Sequence, residues 1–92
     1  MKKDTYFKDI FEMLDQFKTA IKRLHDQGVN VSILENDIRR ITDKINISFS
    51  DSNDETLNII RKEVLGDCIF LRKKIADAIR KQIRDIIENE IK

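Results

Sequence analysis

Residues 53–91 read NDETLNIIRKEVLGDCIFLRKKIADAIRKQIRDIIENEI, a stretch with no proline and one glycine. An apolar stripe runs through Leu57, Ile60, Val64, Cys68, Leu71, Ile75, Ile79, Ile83 and Ile86. Their mean spacing is about 3.6, the repeat of a straight α-helix rather than the 3.5 of a left-handed coiled coil. One helix over 53–91 would be about 58 Å long, whereas a compact chain of this size has a radius of gyration of about 12 Å. Such a helix outruns the rest of its own chain. Either it breaks, with Gly66 the natural point, or it overhangs and another molecule covers its end.

The two halves of the stretch differ. Over 64–71 the apolar residues run nearly all round, as in a helix covered on every side. This half is expected at the centre of the molecule, with Gly66 at the closest contact. A mid-helix glycine costs about 1 kcal/mol relative to alanine, so it calls for a close approach, a kink or a break. Beyond Ile75 the stripe narrows to isoleucines, which favours the overhang. Ile75, Ile79, Ile83, Ile86, Ile87 and Ile91 are the candidate oligomer interface.

Two further helices precede it. Over 4–27, Phe7, Ile10, Leu14, Phe17, Ile21 and Leu24 follow 3-and-4 heptad spacing, and Gly28 supplies a left-handed end. Over 32–46, Ser32 and Glu35 form a capping box ahead of Leu34, Ile38, Ile41 and Ile45. Val29, Val31, Ile33 and again Ile45, Ile47, Phe49 alternate with polar residues, leaving two short strands as the minor alternative. Residues 48–53 read as a polar loop anchored by Phe49, and Ser52 with Glu55 forms a second capping box. The expected fold is all-α: an antiparallel bundle of three helices with a long C-terminal helix, or four helices if it breaks near Gly66.

Composition narrows the function classes. Ninety-two residues make one domain with a thin core, and the 38% charged content points to long solvated helical faces. The sixteen isoleucines and the excess of Lys over Arg suggest an AT-rich genome, that of a low-GC bacterium or a phage. A net charge of +1 makes no overall case for nucleic acid or membrane. The amphipathic opening segment does not read as a signal peptide, no apolar run approaches a membrane span, and a cytoplasmic protein is expected.

Most site chemistries lack their residues. One His and one Cys cannot make a Cys/His zinc site, and a lone Cys cannot make a disulfide framework. Asp51, Asn53 and Glu55 open like a calcium loop, but Thr56 stands at its glycine position and Lys62 at its bidentate position. Cys68 lies on the apolar stripe and reads as core. His25 reads as a surface residue at a helix end. No phosphate-binding glycine loop exists. No catalytic residue, metal, cofactor or small-molecule substrate is expected; an enzyme would need Arg39, Arg40 or Arg61 turned inward.

The one charge concentration lies at 72–84, where Arg72, Lys73, Lys74, Arg80, Lys81 and Arg84 face Asp77 alone, a net of +5. Lys73, Lys74, Arg80, Lys81 and Arg84 are the candidate anion or nucleic-acid contacts. The plainer reading is a solvated face with an Asp77–Lys81 pair. The favoured function is a protein–protein interaction module, dimeric or otherwise self-associating, acting as adaptor, regulator or inhibitor/immunity-type binder. Nucleic-acid binding through 72–84 is the alternative.

Overall fold

Residues 6–48 and 53–91 are described by the computed structural model, and they contain three helices and no strand. The first, α1 (Lys8–Asp26), places the expected heptad positions on one side: Ile10, Leu14, Phe17, Ile21 and Leu24 are all buried. It ends in a Schellman motif. Gly28 has a φ of +88°, its N–H donates to the His25 carbonyl, and the Val29 N–H donates to the Leu24 carbonyl. Val29 then packs against the core. This reverses the chain in five residues and sets α2 antiparallel to α1.

The second helix, α2 (Ser32–Ser48), buries Leu34, Ile38, Ile41 and Ile45. Its start differs from the expected capping box. The Glu35 N–H donates to the Val31 carbonyl, and Asn30 Oδ1 accepts from the Ser32 N–H at 3.1 Å. Asn30, not Ser32, supplies the side-chain acceptor. The strand alternative is not realised: 45–48 are helical, and 29–31 form a short irregular link. Ile45 is buried while Ile47 is exposed, so these two do not share a face as a strand would require. Phe49 and Ser52 lie outside the described residues.

The third helix, α3 (Asp54–Ile91), is continuous for 38 residues, so the four-helix alternative falls. Asn53 caps it: its carbonyl accepts from Leu57 N–H, and its Oδ1 accepts from Glu55 N–H at 2.9 Å. Gly66 neither breaks the helix nor marks a close contact, because a Cβ built there meets nothing within 4 Å. The expectation that 64–71 is covered on every side also fails. Val64, Cys68 and Leu71 are buried, but Ile69 and Phe70 face outward, as does Ile59. Two short helices cover only one side of a third.

Ion pairs fix the register. Asp37 meets Lys74 and Lys44 meets Asp67, so residue numbers on α2 and α3 keep a constant sum of 111, the mark of antiparallel packing. Asp9 meets Arg61 and Tyr6 meets Asn58, a constant offset of 52, so α1 runs parallel to α3. Both registers run out at the same level: Asp26 falls opposite residue 78 and Ser32 opposite residue 79. Beyond that level α3 runs on for about 18 Å, with only the α1–α2 turn, residues 27–30, beside it, across an open groove shared with Ala78, Lys81, Gln82, Asp85, Ile86 and Asn89. The whole molecule measures 58 × 19 × 18 Å, with a radius of gyration of 16.1 Å.

Candidate interaction surface

From Leu57 to Ile75 the buried residues of α3 span 18 positions, five turns of 3.6, so they stay on one side. Beyond Ile75 the spacing changes. Ile75, Ile79, Ile83, Ile87 and Ile91 recur every four residues. Four residues turn about 400°, so each step moves the ridge about 40° round the helix. Exposure rises along it, from 5% at Ile75 through 39%, 52% and 51% to 79% at Ile91. Ile75 therefore belongs to the intramolecular core and not to the uncovered surface. Ile79, Ile83, Ile86, Ile87 and Ile91 are uncovered, and no residue from 76 to 91 is buried.

The charged residues fall into three settings. Lys74 is engaged within the bundle, donating to Asp37 Oδ2 at 2.8 Å. Arg40 donates to the other carboxylate oxygen at 2.6 Å. Burial pushes the Asp37 carboxyl up, but the hydrogen bonds from Lys74 and Arg40 outweigh it and hold the pKa below the ordinary carboxylate value. Arg80 approaches Asp77 at 3.8 Å, so the local pair is i,i+3 with Arg80 where i,i+4 with Lys81 was expected. Lys73, Lys81 and Arg84 are exposed, and Asp85, Glu88 and Glu90 follow them on the overhang.

A second polar cluster ties the start of α1 to α3. Arg61 makes a two-pronged contact with Asp9, at 3.0 and 2.5 Å, and also donates to the Tyr6 carbonyl at 3.0 Å. Its guanidinium lies 5.5 Å from the Tyr6 ring centre. The hydrogen bond from Arg61 holds the Asp9 carboxyl below its usual range. Arg61 is thus a structural clamp, and Arg40 is bound to Asp37 at the α2 surface. Arg40 borders a recess of about 170 Å³ between α2 and α3, whose other polar walls are Asp37, Lys44, Asp67 and Lys74, all engaged in ion pairs. A groove of about 490 Å³ lies open between α1 and α2, with Lys18, Lys22, Glu35 and Arg39 among its walls.

Cys68 is 1% exposed, and burial followed by the nearby Asp67 carboxylate pushes its thiol pKa up, away from nucleophilic reactivity. His25 is exposed at the end of α1, 3.7 Å from Asp26. Among the described residues no group of three or more His, Cys, Asp or Glu could hold a metal ion. None of the described helices is long and apolar enough to cross a membrane.

Sequence reading missed the Asp37 network, although the signal was there. Asp37 stands between Leu34, Ile38 and Ile41 on the apolar side of α2, where a lone acid needs a partner. It also missed the outward turn of Ile69 and Phe70, which depends on where α1 and α2 lie. No protein-family model matches this chain, and neither a curated protein nor a solved structure matches it.

Proposed function

We propose that this protein is a helical protein–protein interaction module, an adaptor, regulator or inhibitor/immunity-type binder acting in the cytoplasm, whose contact surface is the distal part of α3. One observation carries the reading. No residue from 76 to 91 is buried, and only Ala76, Ala78 and Gln82 are half-buried, yet the segment holds five exposed isoleucines. A large aliphatic side chain yields about 1.5–3 kcal/mol when fully buried, so this surface is where association gains most. The α1–α2 pair braces the root of the helix and leaves its end free to meet a partner. No catalytic role is assigned: the one thiol is buried and the arginines that could have turned inward are held at ion pairs or on the surface.

The test is a photo-crosslinking side chain at position 83, with position 12 on the solvent face of α1 as control. Polypeptide adducts should form from 83 and disappear with Ile79→Glu plus Ile87→Glu. Adducts from neither position, or equally from both, would remove the reading.

Nucleic-acid binding has weaker support. Lys73, Arg80, Lys81 and Arg84 are exposed on one helix, but Lys74 is held by Asp37 and the acidic 85–90 run follows immediately. Absence of DNA and RNA binding at low salt disposes of it.

A further inference from the structure

We infer that the distal α3 surface pairs with a second copy of the same helix, the two crossing antiparallel about a two-fold axis near residue 85. This rests on the interaction-module reading above and specifies its partner.

The shape of the surface comes first. Ile79, Ile83, Ile87 and Ile91 form an unbroken i+4 ridge, all at least 39% exposed. Ridges of this kind pack into the grooves beside an identical ridge when two helices cross at roughly 50°. Heptad seams pack nearly aligned; this ridge does not follow a heptad. An axis near 85 sets Ile79 against Ile91 of the second copy and Ile83 against its Ile87. Ile86 then lies beside its own counterpart.

Charge then selects the direction. The overhang carries Arg80, Lys81 and Arg84 followed by Asp85, Glu88 and Glu90, three positives and then three negatives. Two copies laid antiparallel place the basic half of each on the acidic half of the other. Along one flank of the ridge run Arg80, Arg84 and Glu88; along the other run Gln82, Ile86 and Glu90. Antiparallel helices face like flanks, so Arg80 meets Glu88 of the second copy twice over, and Gln82 meets Glu90. Parallel helices face unlike flanks and would set Glu88 beside Glu90. A heterologous partner would need no such internal balance. α1 and α2 end at the level of residues 78 and 79, and the turn between them, residues 27–30, stands beside Lys81, Gln82, Asp85 and Ile86, which leaves the Ile79–Ile91 ridge and its Arg80–Glu88 flank open to a second copy.

The contact is small, a few isoleucines from each copy. It belongs with interfaces that dissociate on dilution.

Sedimentation equilibrium of the full chain tests this. A monomer–dimer equilibrium in the micromolar range is expected, and Ile83→Glu plus Ile87→Glu should leave only monomer while helicity and melting of the bundle stay put. Arg80→Glu alone and Glu88→Arg alone should each raise the dimer Kd roughly tenfold, and the two together should return it to within about twofold. A parallel dimer would not recover in the double variant, so failure of recovery overturns the antiparallel assignment. A full chain that stays monomeric at high micromolar concentration overturns self-pairing altogether. In that case adducts from position 83 to other polypeptides would still uphold the interaction module, and their absence would end both proposals.

Discussion

The carboxylate of Asp37 on α2 accepts a 2.8 Å hydrogen bond from Lys74 Nζ on α3, in a setting where the Asp37 side chain is only 10% exposed. It is the least exposed acid among the ion pairs of the described residues, and it joins the two helices about a third of the way along α2. Its folded pKa is depressed, so its stabilising contribution is present above the ordinary value of 3.8 and is lost as pH falls through the folded value. Asp37→Asn should cost about 1–2 kcal/mol at pH 7, and the difference from wild type should shrink below about pH 4. Urea unfolding at several pH values reads both; a constant difference across that range counts against the charge argument.

The two glycines should respond to alanine in opposite directions. Gly28 has a φ of +88°, which a Cβ disfavours, so Gly28→Ala should destabilise by about 1 kcal/mol. Gly66 lies in regular helix with open space around its missing Cβ, so Gly66→Ala should stabilise by about 0.5–1 kcal/mol. Thermal melts of both variants suffice. A destabilised Gly66→Ala would mean that something does approach that backbone, and the assembled state would be where to look.

Arg61→Lys keeps the charge and loses the fork that reaches both Asp9 oxygens and the Tyr6 carbonyl together. The expected cost is about 0.5–1 kcal/mol, concentrated at the start of α1. Amide exchange of residues 10–14 should speed up while that of 34–45 changes little. Uniform acceleration would show that the clamp supports the whole bundle.

The isoleucine ridge predicts a gradient of mutational cost along one helix. Leu71→Ala, at 1% exposure, should destabilise by about 2–5 kcal/mol. Ile83→Ala, at 52% exposure, should stay within about 0.5 kcal/mol measured on dilute protein. Truncation after Arg80 should likewise leave the unfolding midpoint of dilute protein nearly unchanged. Equal costs at 71 and 83 would contradict the overhang.

Cys68 should behave as a core residue. Its thiol is buried and its pKa raised, so a thiol reagent should label native protein only as fast as the helices open. Labelling at the rate of a free thiol would place Cys68 at the surface.

Much of this fold is legible in the residues alone, because helix formation and the choice of buried side are local matters. The spacing of Phe7 to Leu24, the glycine at 28 and the proline-free run of 53–91 suffice for the helices themselves; whether the last one breaks at Gly66 or overhangs they leave open, with the narrowed stripe beyond Ile75 favouring the overhang. Helix starts are less legible, since several neighbouring side chains can serve the same orphan N–H groups: Asn30 and Asn53 do so here. What tertiary structure alone decides is which apolar side chains find cover. Two helices, each half the length of α3, can occupy only one side of it and only as far as residue 79. Ile69 and Phe70 are therefore left outside although they are as apolar as their buried neighbours. Ile75 is taken into the core although it begins the same ridge that Ile91 ends. The partner of Asp37 was likewise a question of register, settled only when α2 and α3 lay side by side.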